Sequence, residues 1–129
     1  MIESEQVRVH RDARGMVFEP LGLDLLPAQQ NAHVAVSEPG CVRGNHYHRR
    51  ATEILITAGP VLVRFREQGQ TRDIHVPEGE AYRFVIPPGV AHAIQNTGSR
   101  PSFLVSFSSI VHDPTQPDAV PEKLIETGG

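Results

Sequence analysis

His46 and His48 stand two residues apart in the run Arg43-Gly44-Asn45-His46-Tyr47-His48, Glu53 follows closely, and His92 lies about forty residues further on. On a strand, residues two apart leave the same face, so His46 and His48 form a natural chelating pair. Glu53 opens a second alternating segment whose Leu55 and Thr57 share its face. The tight Pro87-Pro88-Gly89 turn ahead of His92 can send a strand back antiparallel beside the first three residues. Three imidazoles and one carboxylate carried on strands suit one divalent ion, Fe, Mn, Ni, Co or Zn, and leave up to two coordination positions for water or substrate. Taken singly, each histidine also reads as a packed or hydrogen-bonded core residue.

The elements that must hold these side chains are short strands. Apolar residues alternate from about residue 33 to residue 108, and no window there sustains a helical period. Strands are expected near 33–38, 45–48, 52–57, 61–67, 71–76, 81–86, 91–96 and 102–108, with Pro, Gly and polar turn residues at the junctions. Short strands at this even spacing read as a sandwich or double-sheet jelly roll, so the fold class is all-β. Weaker strands are expected at 6–10 and 16–19, and the apolar stretch Leu21-Gly22-Leu23-Asp24-Leu25-Leu26-Pro27 is expected to cover a barrel end. The proline-rich tail, 111–129, has room for one or two helical turns over 118–126. A single domain is expected over 1–129, with the barrel core at about 30–110.

Composition narrows the partners. A net charge of -3 with both signs scattered offers no basic face for a phosphate backbone, so nucleic acid is not expected. No apolar run approaches the length of a membrane span. The N-terminal residues lack a basic then apolar leader, and the single cysteine, Cys41, cannot form an intramolecular disulfide. Both point to a cytoplasmic location. Ile54 and Ile56 project opposite to Glu53, and Leu62 opposite to Val61 and Val63, so apolar residues line both faces of these strands. A second subunit is expected to cover the outer face, making a homodimer.

Written out, Gly40-x5-His46-x-His48-x4-Glu53-x5-Gly59 and Gly79-x7-Pro87-x-Gly89-x2-His92-x3-Asn96 closely resemble the two halves of the cupin signature. The resemblance implies a double-stranded β-helix, the jelly-roll barrel, with His46, His48, Glu53 and His92 as metal ligands. The gap to Gly59 is one residue short and that to Pro87 two long, both within turns, where length changes are tolerated. Asp12-Ala13-Arg14-Gly15, the Arg43–His48 run and Asp113-Pro114-x-x-Pro117-Asp118 further resemble the sugar-nucleotide epimerase branch of the cupins, in particular the C-terminal cupin domain of bifunctional capsular-polysaccharide enzymes. That resemblance implies epimerisation of a carbon next to the ketone of a 4-keto sugar nucleotide.

Removing a proton α to a carbonyl requires an enolate stabiliser and a base. Metal-free relatives use the histidine at the position of His46 as that base, but a metal-bound imidazole has no free lone pair. Either the metal is structural, or another residue is the base, with Tyr47, Tyr82 and His33 as candidates. Those relatives also carry a tyrosine acid in their last core strand, where this chain has Phe103-Leu104-Val105-Ser106-Phe107. Arg43 and Asn45 are the candidates for substrate binding, Arg43 through a nucleotide diphosphate. His10, His75 and His112 lie in polar segments and read as exposed residues. A mononuclear Fe(II) dioxygenase acting on a small organic substrate, and a non-enzymatic small-molecule binder, fit the same donor set.

Overall fold

The computed structural model describes residues 1–126. Its strands are β1 (Glu3–Val7), β2 (His10–Asp12), β3 (Gly15–Val17), β4 (Asn31–Ser37), β5 (Val42–His48), β6 (Glu53–Ala58), β7 (Val61–Glu67), β8 (Gln70–Val76), β9 (Ala81–Ile86), β10 (Ala91–Asn96), β11 (Ser102–Ser108) and β12 (Ala119–Pro121). Two five-stranded antiparallel sheets, in the orders β1-β9-β6-β11-β4 and β12-β5-β10-β7-β8, form a jelly roll, and β2 and β3 make a small separate hairpin. Sequence neighbours in β6 and β7 therefore belong to opposite sheets. All eight expected core strands are present, with ends shifted by up to three residues.

The largest shift is at β5, which begins at Val42 rather than Asn45. Gly44 and Asn45 look like strand breakers, and their φ angles of 87° and 57° do bend the chain, yet pairing with β10 continues past them through a bulge. A side chain at Gly44 would lie 2.8 Å from the His92 carbonyl oxygen, so only glycine allows β5 to approach β10 this closely.

Interior-facing residues of both sheets form the core: Leu55 and Leu104 from one, Val63 and Phe65 from the other, with Phe84 and Ile86 on β9. The outer faces are covered differently from the expectation. Ile54 and Ile56 pack under Phe18, Leu21 and Leu25, so the apolar N-terminal loop lies on the outer face of β6 instead of capping a barrel end. Leu62 and Ala93 pack under Leu124 and Ile125 of the C-terminal tail. The chain itself thus covers the surface from which a homodimer was expected, because burying a side chain such as Ile56, which is 0% exposed, is worth about 1.5–3 kcal/mol whichever segment supplies the cover. Val34, Val36 and Phe103, on β4 and β11, stay exposed.

The tail departs from the expected helical turns. Residues 119–121 pair with the free edge of β5, Val120 opposite Tyr47, and the chain runs on without helix to residue 126. An open strand edge offers the extended tail backbone hydrogen bonds, whereas Pro121 lacks the N–H that a helix interior needs. Residues 127–129 lie outside the described residues. No helix among the described residues is long and apolar enough to cross a membrane.

Candidate metal centre

Two sheets contribute to one cluster. His46 and His48 project from β5 and His92 from β10, where His92 pairs with His46. Glu53 faces them from β6 in the opposite sheet, held in register by Ile86 of β9. The Pro-Pro-Gly turn is tied down by a hydrogen bond from the Gly89 amide to the His48 carbonyl, 2.8 Å long, which sets where β10 starts. One donor atom from each of the four side chains lies within 4.8 Å of all the others. Ring centroids are 4.9 Å apart for His46 and His92 and 5.0 Å for His46 and His48.

Five buried side-chain polar atoms among the described residues lack a hydrogen-bond partner, and four of them are here: both ring nitrogens of His48, Glu53 Oε1 and His92 Nε2. Leaving such atoms unpaired costs about 1–3 kcal/mol each, so the convergence of three of them, His48 Nε2, Glu53 Oε1 and His92 Nε2, asks for a further ligand. Glu53 Oε1 lies 2.6 Å from His92 Nε2 and 3.6 Å from His48 Nε2. The remaining contacts orient the donors outward. His92 Nδ1 sits 3.0 Å from the Val90 carbonyl, which fixes the proton on Nδ1 and leaves Nε2 free. His48 Nδ1 lies 3.4 Å from Asp118 Oδ2, so its Nε2 faces Glu53. Ser106 donates to Glu53 Oε2 at 2.5 Å.

The electrostatics are those of a charge site. Burial works to keep Glu53 neutral, but the adjacent His48 and His92 imidazoles and the Ser106 hydroxyl outweigh it and hold the carboxyl well below the usual range. His48 is raised, first by Glu53. His46 is lowered to about 4, first by burial and then by His92 beside it. The fold therefore stabilises one positive charge against Glu53 and keeps His46 neutral. Three imidazoles and a carboxylate gathered in one cluster, with His48 Nε2, Glu53 Oε1 and His92 Nε2 buried and unpartnered, fit a divalent transition metal.

Above the cluster a cavity of about 470 Å³ opens between β4, β11 and the tail. His33 lines it, because His33 pairs across β4 and β11 with Ser106, whose side chain points inward. The other site candidates lie elsewhere. Tyr47 alternates with His46 and His48, so it leaves the opposite face of β5 and does not line the cavity. Tyr82 is opposite Thr57 and packs on Phe84, four residues along β9 from Ile86, and thus about 13 Å from the Glu53 end. Arg43 donates to the Val36 carbonyl and the Ser37 hydroxyl, tying β5 to the end of β4. Asn45 spends its side chain on the tail, accepting from the Leu124 and Ile125 amides and donating to the Ile125 carbonyl. Neither residue faces the cavity, because backbone groups near the β5 bend claim both side chains.

Two cavity residues are visible only in three dimensions. Asp118, held by the Arg50 and Ala51 amides, reaches His48 from the tail. Its motif marks it as notable, but nothing in its spacing ties it to His48. His112, read as merely exposed, lines the cavity as well.

Residues 10–120 match the family described as the polysaccharide biosynthesis C-terminal domain. The spore coat polysaccharide biosynthesis protein SpsL of Bacillus subtilis (strain 168) is 28% identical over 127 residues, covering 91% of this chain and 84% of that protein. The capsular polysaccharide assembling protein CapF from Staphylococcus aureus superposes with a TM-score of 0.68 at 25% identity, covering 92% of this chain but 33% of that one. This chain thus spans about a third of CapF. QdtA, a sugar 3,4-ketoisomerase from Thermoanaerobacterium thermosaccharolyticum solved in complex with TDP, superposes with a TM-score of 0.70 at 17% identity, covering 92% and 86% of the two chains. At that identity the likeness is one of fold.

Proposed function

Because the chain belongs to the polysaccharide biosynthesis C-terminal domain family, we propose that it is a metal-dependent epimerase or isomerase of a 4-keto sugar nucleotide. The observation that carries this reading is the convergence of four donor side chains, three of them offering buried, unpartnered atoms, beneath a cavity also lined by His33. The relatives named as polysaccharide proteins, and the sugar ketoisomerase with its bound TDP, support the substrate class.

His46, His48, Glu53 and His92 would hold the metal. When bound, a divalent ion supplies Lewis acidity that stabilises negative charge developing on a ketone oxygen. His46 stays a neutral imidazole in this role, its proton affinity depressed by burial, and so does not serve as the base. His33 is the base: its imidazole lines the cavity and takes the proton from the carbon next to the ketone, and return of a proton to the opposite face of that carbon inverts the centre. Asp118 and the Val90 carbonyl hold His48 and His92 in the orientations that present Nε2. A cavity of about 470 Å³ is within the usual range of roughly 300–1,000 Å³ for small-molecule sites.

The test is solvent exchange. The metal-loaded protein is incubated in deuterium oxide with UDP- and dTDP-4-keto-6-deoxyhexoses, and deuterium at the carbon beside the ketone is read by mass spectrometry. Incorporation that disappears in His33→Asn is the expected result. No exchange into any of these sugars, with metal bound, overturns the reading, and oxygen uptake by the iron form would redirect it to oxygenation.

A further inference from the structure

The two oxygens of Glu53 have different surroundings. Oε1 has no hydrogen-bond partner and faces His92 Nε2 at 2.6 Å. Oε2 accepts a hydrogen bond from the Ser106 hydroxyl at 2.5 Å. Ser106 is 1% exposed and is held on both sides by strand pairing, opposite His33 on β4 and Leu55 on β6. Its position is therefore set by the sheet and does not depend on a mobile side chain. A hydroxyl has one proton to give, and a hydrogen bond to a charged carboxylate is among the stronger kinds.

Resting on the metal-centre reading above, we propose that Ser106 is a positioning residue that occupies Oε2 and confines Glu53 to coordination through Oε1 alone. A carboxylate binds a metal through one oxygen or two, and the second mode fills a position that a catalytic centre must keep open. Three imidazoles with a one-oxygen carboxylate leave room for substrate, whereas a two-oxygen carboxylate takes one of those places. Ser106 would thereby keep a coordination position of the centre open.

Cobalt(II) reports this directly, since its visible absorption per ion weakens as coordination number rises. Wild-type protein is expected to bind one cobalt with the stronger spectrum of a low-coordinate site. Ser106→Ala frees Oε2, so its band weakens, and Ser106→Thr, which keeps the hydroxyl, restores the wild-type spectrum. X-ray absorption on the wild-type cobalt protein needs no variant and is expected to give a one-oxygen carboxylate. A Ser106→Ala spectrum identical to wild type, or a two-oxygen carboxylate in the wild-type protein, overturns the role of Ser106 while the metal centre stands. Failure of the wild-type protein to bind cobalt overturns the metal centre itself.

Discussion

Replacing Asn45 with alanine removes three hydrogen bonds between β5 and the tail: to the Leu124 amide at 2.8 Å, to the Ile125 amide at 3.1 Å and to the Ile125 carbonyl at 3.0 Å. At a net contribution of about 1 kcal/mol each, reduced because the groups are only partly buried, their loss costs about 2–3 kcal/mol. The backbone adds to this. Asn45 has a φ of 57°, a region that asparagine tolerates and in which alanine costs about 1 kcal/mol more. The alanine variant is thus expected to lose about 3–4 kcal/mol, a large part of the roughly 5–15 kcal/mol that stabilises a domain. Asn45→Gly loses the same bonds without the backbone strain and is expected to be about 1 kcal/mol more stable than the alanine variant. Urea unfolding measures both, provided the slope is unchanged so that midpoints report stability. An alanine variant within about 0.5 kcal/mol of wild type, or a glycine variant less stable than alanine, refutes the reasoning. Metal affinity should change little, because the Arg50 and Ala51 amides anchor Asp118 independently. A collapse of affinity at full stability would return Asn45 to the binding site.

Replacing His48 and His92 together with alanine should abolish metal binding while the far-ultraviolet circular dichroism keeps its β signature, and a full equivalent of metal in that variant would refute the ligand assignment. Asp118→Asn keeps the shape but weakens the hold on His48 Nδ1, and metal affinity should fall about 10- to 100-fold in a chelator competition; wild-type affinity would show that Asp118 only anchors the tail. In metal-free protein, His46 is lowered to about 4 by burial and then by His92, so the unfolded chain binds more protons between that value and the ordinary one of about 6.5, and stability rises with pH across the interval. His48 is raised, first by Glu53, so its contribution is complete below its unfolded value and is lost as pH rises through the folded one. These opposite slopes place the stability maximum near about pH 6.5, and thermal melts in chelator that rise steadily to alkaline pH would contradict it.

Alternation and turn chemistry are local properties, and they carried the all-β class and the eight core strands, because a strand's period depends only on which residues face the core. The resemblance of the two short signatures carried the barrel and the four-residue cluster, and the chain's departures from their spacing did no harm. The shortened gap after Glu53 falls in the turn between Ala58 and Val61, so Glu53 keeps its register opposite Ile86. Strict alternation puts Tyr47 on the face opposite His46 and His48, which removes it from the cavity as a base.

What remained belongs to tertiary structure, because it depends on which distant segments meet. Glu53 meets the three histidines only because β6 and β5 lie in opposite sheets whose inner faces close on each other. His33 reaches the cavity through its pairing with Ser106, more than seventy residues away in the chain, and Tyr82 is removed from it by its place along β9. Arg43 and Asn45 look like ligand-binding residues in sequence, yet backbone groups of β4 and the tail claim their side chains. Asp118 becomes a partner of His48 because the open edge of β5 draws the tail into the sheet. The N-terminal loop and the same tail bury Ile54, Ile56 and Leu62, the residues whose pattern in sequence calls for a second subunit. Local pattern identifies a face that must be covered, and only the folded chain decides what covers it.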